Sequence, residues 1–579
     1  MVDHVSKQRA KCLRLIINSC FLILICLTLH LFSSNSDFHF PTHFKTPNSI
    51  NNLYQKLDRD IGCRGIPKLQ DHHTKCSYVK AQGGCQLGGY ISYLQLYYCN
   101  FTPLLGYTVL LLWLLLLFYL LGDTAANYFC SSLGGLSKIL NLSPTVAGVT
   151  LLSLGNGAPD MCASLAAFTA EGTNEVGLSN ILGSTFFVTS AVVGIISIIN
   201  RHGTVSIDKT SFLRNIVFYL FSLICLLLIV VFGKINFWGA LLYLSVYVFY
   251  VLLVSYSEFC NKDKKSARKV ELDPEGGSDS GTPLLGFLID DTEISISSNQ
   301  DEKWSNTQKA KSPVRGCFEK FVYILELPLY LPRRLTIPVV SEDRWSKPYA
   351  VVSITIAPLL LTVIWSSDSG SPDLMPCMIG LLVGVVLGIA ALVTTDSTSP
   401  PRKCLVAWYA VGFLMSITWT YIVAEELVSL LVSLGLILGI SPSILGLTVL
   451  SWGTSLGDLV ADVTLATGND IDEFQIAMSG CFAGPIFNTV ASLGLSLCLA
   501  SWKVYPNSYE MPTDSSVYVT MGFLVGGLLW SLAILPNSKM RLGRLQGIGL
   551  LAIYFCFLSL KLAGTLGLLP LDAPFPQNT

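Results

Sequence analysis

The sequence predicts an all-α polytopic membrane protein: an inverted repeat of two five-helix halves, about 13 spans in total. Three observations predict it. The 579 residues are 51% hydrophobic and only 13% charged, about half the charge of a soluble chain. The apolar residues fall into continuous blocks of about 20, the length of a bilayer-crossing helix; the runs do not alternate, which excludes a β-barrel. Finally, the chain matches itself at an offset of 298 residues, where nine of 23 positions agree without a gap between "LSPTVAGVTLLSLGNGAPDMCAS" (142–164) and "ISPSILGLTVLSWGTSLGDLVAD" (440–462). Apolar sequence matches itself by chance at leucines, but not at Ser-Pro, two glycines and an aspartate together.

In chain order, residues 1–32 hold a basic start (Lys7, Arg9, Lys11, Arg14) and an apolar block at 12–32, which reads as a signal peptide or a retained anchor helix. The hydrophilic segment 33–103 carries Cys63, Cys76, Cys85 and Cys99. An even set of cysteines in one polar loop predicts two disulfides on an oxidising, extracytoplasmic face, with three connectivities open. Asn100-Phe101-Thr102 is a glycosylation sequon beside the next span.

The first repeat, 104–256, holds blocks near 104–122, 143–168, 176–199, 212–232 and 236–256. Residues 257–349, with "NKDKKSARK" and many Ser and Lys, read as a cytosolic loop; Arg333 and Arg334 near its end are expected at the membrane surface. Two extra membrane helices occupy 350–394. The second repeat, 405–566, holds blocks near 405–424, 440–467, 474–499, 516–535 and 546–566, and a tail follows at 567–579. Glu425 and Glu426 are placed at the outer surface.

With a cytosolic N-terminus and alternating spans, the short inner loops hold Lys138, Arg201, Lys209, Arg214, Arg402, Lys403, Lys539, Arg541 and Arg544, and the short outer loops only Lys234 and Lys503. That asymmetry obeys the positive-inside rule. In this topology 143–168 runs outward and 440–467 runs inward, so the repeats are inverted. The 350–394 pair adds an even number of crossings and preserves the inversion. Inverted repeats with Gly/Pro-interrupted helices in matching places mark a secondary transporter, with its site near the midplane.

A carboxylate at bilayer depth costs about 2.5–3.5 kcal/mol on insertion scales. Asp160 and Asp458 both carry that cost, which a bound cation would offset. Pro159 removes a backbone donor and frees a carbonyl near Gly155; Gly457 stands in its place in the second repeat, where a milder break is expected. Asn156 and Thr454, each four residues before its aspartate, lie on the same helical face and add neutral oxygens. Asp462, one turn beyond Asp458, reads equally as a third carboxylate or as polar lining. On the following helices Asn488 is an intramembrane amide beside the site, and Ser184 is a second polar point. Asn180 and Ser479 read equally as ligands or as small packing residues. Oxygen-only coordination suits Ca²⁺, Na⁺ or K⁺ rather than zinc or copper. Cys162 and Cys481 read as small hydrophobes.

"GNGAPD", "GTSLGDLVAD" and "GCFAGPIFN" resemble the cation/calcium exchanger superfamily, most closely its plant cation/calcium exchanger branch, which is related to the animal sodium/calcium/lithium exchanger. The likeness covers most of residues 60–570 and implies the sodium/calcium-exchanger-like inverted repeat. It implies Asp160, Asp458 and Asn488 as principal ligands, with Asn156, Thr454 and Ser455 supporting. Where the second repeat offers Asn488, the first offers Phe187 or Val188. Two carboxylates balance one Ca²⁺ or two monovalent ions, and a protonated aspartate can replace a cation, giving H⁺ coupling.

The function expected is a secondary active antiporter moving K⁺, Na⁺ or Ca²⁺ against H⁺ or Na⁺, not an enzyme, with no cofactor beyond the transported cations. Its partners are inorganic cations and the lipid bilayer; with no basic domain, nucleic acid is not among them. The expected membrane is the plasma membrane or an endomembrane such as the vacuole. Two membrane aspartates also admit an intramembrane aspartyl protease, in which they would share a water as acid and base. The repeat and the neutral oxygens have no part in that chemistry. A cation channel of the same fold is the other alternative.

Overall fold

A computed structural model describes residues 66, 72–81, 89–140, 150, 153–170, 173–199, 207–270, 330–341, 344–368, 374–396, 400–401, 404–467, 471–512 and 515–565. The apolar block 12–32, Cys63, Cys85, Ser143, Pro144, the tail 567–579 and most of 257–349 lie outside these residues.

The structure is helical. A short helix, α1 (His72–Ala81), precedes the membrane region. The first repeat comprises α2 (103–140), α3 (Ser153–Thr169), α4 (Asn174–Ile199), α5 (Lys209–Phe232) and α6 (Phe237–Val270). The extra pair is α7 (Lys347–Asp368) and α8 (Leu374–Thr394). The second repeat comprises α9 (Leu405–Leu438), α10 (442–467), α11 (471–503), α12 (Ser515–Asn537) and α13 (Arg544–Thr565). Among the described residues ten helices are long and apolar enough to cross a membrane, and the bent α10 makes an eleventh. Of the thirteen spans expected, the block at 143–168 is described only from Ser153 on, as α3, and 12–32 is not described.

Local chemistry sets the helix ends. Pro103 and Pro442 open their helices in the first turn, where the missing N–H costs nothing. Ser441 holds the N-cap position of α10 but makes no side-chain cap bond. Asp208 caps α5 by accepting from the Thr210 and Ser211 amides. Gly233 (φ 68°) and Gly439 (φ 70°) close α5 and α9 in the left-handed conformation.

Three expectations need correction. The span expected at 405–424 is the first part of a 34-residue helix. The expected outer loop is its apolar continuation, and Glu426 is buried at 7% exposure rather than lying at the surface. Its carboxylate accepts from the Tyr90 amide and the Tyr93 hydroxyl, so the segment that precedes α2 covers it. Arg333 and Arg334 are buried as well. Arg333 pairs with Asp123 at 2.5 Å and donates to Thr124 Oγ1, while Arg334 donates to the Arg344 carbonyl. Last, α6 runs past residue 257 to Val270, because Lys, Ala and Arg sustain a helix in water.

The inversion is visible in the packing. In the second repeat, Gly446 of α10 lies on Val176 of α4, and Gly183 of α4 lies on Leu447 and Ser451, so α4 and α10 run parallel. These glycines let the backbones approach. Likewise Gly157 of α3 faces Asn488 of α11, and Lys503 Nζ donates to the Thr169 carbonyl at 3.2 Å, so α3 and α11 run parallel. Since α3 turns back into α4 after a few residues, α3 and α10 run in opposite directions. Loops assigned to one side meet each other. Between two loops expected outside, β1 (Lys234–Ile235) pairs antiparallel with β2 (Tyr509–Glu510). Between two loops expected inside, the Ile207 amide donates to the Met540 carbonyl at 2.9 Å. The α7–α8 pair packs mostly on itself and touches α9.

Candidate cation site

Asp160 is 1% exposed on α3. Asn488 Nδ2 donates to its Oδ2 at 2.8 Å from α11. Asn180 Nδ2 approaches its Oδ1 at 3.5 Å from α4. The hydroxyls of Ser184 and Thr454 also lie against this carboxylate. Each has a second place for its one hydrogen: Ser184 Oγ on the Ile181 carbonyl at 3.2 Å, Thr454 Oγ1 on the Leu450 carbonyl at 2.9 Å. A cation beside Asp160 would therefore meet hydroxyl lone pairs, with both hydrogens returned to the backbone. Asn156 is half-buried one turn before Asp160.

Asp458, on α10, is 8% exposed and lies within electrostatic reach of both Asp462 and Asp160. Asp462 is 4% exposed and accepts from Cys481 Sγ–H at 3.2 Å. Among the described residues none of the three carboxylates pairs with Lys or Arg.

Four buried oxygens here have no hydrogen-bond donor: Asp458 Oδ1, Ser455 Oγ, Asn180 Oδ1 and Asn488 Oδ1. Each unpaired buried group costs about 1–3 kcal/mol. Four unfilled acceptors around two carboxylates make the environment of a hard cation. Among the described residues no three Asp, Glu, His or Cys side chains could hold a metal ion by themselves. Amide and hydroxyl oxygens must therefore complete any coordination shell, which suits a cation that is released over one that stays.

The backbone break differs from expectation. Pro159 lies inside α3, yet Ser153–Thr169 is continuous, and every residue from Gly157 to Ser164 is buried. Packing on all sides holds the helix despite one lost hydrogen bond. The sharp bend is in the second repeat instead: 45° between Pro442–Thr454 and Leu456–Thr467, at Ser455. There Trp452, Leu456, Gly457 and Val460 are exposed, so α10 is supported on one face only.

The structure thus gathers Asp160, Asn180, Ser184, Thr454 and Asn488 at one point, with Asp458 beside it. Asp462 is paired with Cys481 rather than with that group. Asn100 is exposed at the end of the π turn Leu96–Asn100. Cys76 and Cys99 form a disulfide. Sequence reasoning did not single out Gly157, three residues before Asp160, where a Cβ would strike Asn488 Oδ1 and the Phe487 ring; a close approach from another helix leaves no local signal. It also took Cys481 for packing, and its Asp462 partner 19 residues away was legible only as i-to-neighbour-helix geometry.

A family profile described as sodium/calcium exchanger protein matches residues 110–256 and 408–563, the two repeats. The chain belongs to the sodium/calcium exchanger protein family. It is 48% identical over 98% of its length to cation/calcium exchanger 1 of Arabidopsis thaliana, covering 99% of that relative. It is 31% identical over 95% of its length to the mitochondrial sodium/calcium exchanger protein of Rattus norvegicus, covering 97% of that protein. It also aligns with a crystal structure of the H⁺/Ca²⁺ exchanger CAX at a TM-score of 0.43 and 11% identity, over 86% of this chain and 94% of that one, a likeness too low to argue from.

Proposed function

We propose that this protein is a secondary active antiporter that carries inorganic cations across a membrane by alternating access, and that it has no enzymatic activity and no resident cofactor. The observation that carries the reading is the group of four donorless buried oxygens around Asp160 and Asp458, at the meeting of two inverted halves. The cargo is Ca²⁺, Na⁺ or K⁺, and the counter-ion is H⁺ or Na⁺. The names of the relatives support Na⁺ and Ca²⁺; K⁺ rests on the oxygen chemistry of the site alone. The working membrane is the plasma membrane or an endomembrane such as the vacuole.

The chain's own residues account for the cycle. Asp160 and Asp458 attract the cation, while Asn180, Asn488, Thr454 and Ser455 replace water around it. Occupancy removes the repulsion between the carboxylates, so the loaded site tolerates closure and the empty one does not. The two halves differ in this structure: α3 is enclosed and continuous over Ser153–Thr169, and α10 is bent and half-exposed. Exchange of those two environments would move access from one side to the other.

The test is uptake of Ca²⁺, Na⁺ and K⁺ in turn by proteoliposomes, against imposed H⁺ and Na⁺ gradients. Gradient-driven flux that is lost in Asp160→Asn and in Asp458→Asn is expected, with both variants still in the membrane. Full flux in both variants would sink the proposal. Flux that needs no counter-ion would make the protein a channel, and Asp-dependent cleavage of a peptide would make it a protease.

A further inference from the structure

The two halves of the cation site are built from the same elements but are not equally furnished. Each third helix of a repeat contains a π turn: Phe187–Val192 in α4 and Phe487–Ser492 in α11. Their sequences, FVTSAV and FNTVAS, share Phe, Thr and Ala in register. Aligning Phe187 with Phe487, an offset of 300, sets Val188 opposite Asn488. This resolves the choice between Phe187 and Val188 that sequence leaves open.

The π turns also occupy matching surroundings. The turn in α11 packs against α3, and the turn in α4 packs against the Leu456–Thr467 part of α10. Asn488 reaches Asp160 across the first contact at 2.8 Å. Across the second, Val188 is 3% exposed within the apolar cluster that Leu459, the neighbour of Asp458, packs against. Asp160 has Asn488, Asn180, Thr454 and Ser184 around it. Asp458 Oδ1, by contrast, has no hydrogen-bond partner.

We infer that Val188 is a specificity-determining residue: it withholds from Asp458 the amide that Asn488 gives Asp160, and so removes one cation seat from the second half of the site. The inference rests on the antiporter reading. An amide at this place would do two things, as Asn488 does. Its N–H₂ would hold the carboxylate, and its oxygen would serve a cation. A divalent cation draws its binding chiefly from the two carboxylates. A second monovalent cation needs neutral oxygens of its own, and Val188 supplies none. The site as built therefore favours one cation at a time near Asp458.

The test uses the full-length protein, purified in detergent and also reconstituted in vesicles. Equilibrium titration with Na⁺ and with Ca²⁺ gives the ratio of their affinities without requiring transport. Val188→Asn is expected to shift that ratio toward Na⁺ by about tenfold, the worth of one added polar contact, and to raise the number of Na⁺ bound. Val188→Thr, which keeps the branched shape and adds one oxygen, should shift it in the same direction by less. Val188→Leu should keep the wild-type ratio. An unshifted ratio in both folded Asn and Thr variants would overturn the inference. So would an equal shift in the Leu variant, which would make the effect one of shape. If the ratio shifts but the wild type shows no coupled flux in vesicles, the antiporter reading fails and the role of Val188 in binding stands. If the wild type shows coupled flux and the ratio is unshifted, only the inference fails.

Discussion

Asn488 is bound at one end and open at the other: its amide holds Asp160 and its carbonyl oxygen has no donor. Gly157 makes room for that oxygen. Gly157→Ala should therefore displace Asn488 and lower ion-coupled flux at least about tenfold, as loss of a positioning contact at a metal ligand does. Normal flux from a normally inserted variant would show that the close approach is dispensable. A second residue-scale expectation concerns Arg333, 3% exposed against an Asp123 that is 20% exposed. Asp123→Asn removes the carboxylate charge that this buried guanidinium pairs with, which costs about 3 kcal/mol. Thermal unfolding in detergent should show it, and Asp123→Leu combined with Arg333→Met should recover much of the loss. The carboxylates of the site were legible in sequence because a charge at bilayer depth is anomalous wherever it occurs. The Cys481–Asp462 bond and the cover over Glu426 were not. Those partners are brought together by packing, and a residue's own position in the sequence does not name the partner it meets.

Among the elements, the long first helices are informative. α2 covers 103–140 and α9 covers 405–438, and their C-terminal ends stand at the same 298 offset as the aspartate motifs. Hydropathy predicted shorter spans because it stops at polar residues such as Asp123 and Glu426, whereas the helix continues through them once a partner satisfies each. Glu426 meets that condition through Tyr90 and Tyr93, which lie within the loop that the Cys76–Cys99 disulfide closes. Cys76 and Cys99 close a loop with a sequence separation of 23. Replacing both by Ser should destabilise that segment by about 2–4 kcal/mol, read as faster proteolysis from the outer side. Proteolysis unchanged by the double replacement or by reductant would mean that the docking on Glu426 suffices. The Gly183 contact with Leu447 and Ser451 belongs to this scale as well. Gly183→Val should force α4 and α10 apart and yield aggregated protein on size exclusion; a monodisperse, active variant would show that the crossing has slack.

For the whole molecule, the governing feature is that α3 pairs with α11 and α4 with α10 in the same parallel sense. Such a core has no built-in direction. Reversing the imposed gradient should reverse the flux in the same vesicles, and flux fixed in one direction would contradict the exchange of environments between α3 and α10. The duplication, the inversion and the pair of aspartates were determined by the sequence alone, because repetition, loop charge and the cost of a buried carboxylate are all local quantities. Which oxygens stand without donors and where the helix bends were decided only by tertiary structure. Pro159 shows the reason: the same residue breaks or spares a helix according to what packs around it, and α3 is enclosed where α10 is not. Val188 shows it again, since its meaning lies in the place it occupies opposite Asn488.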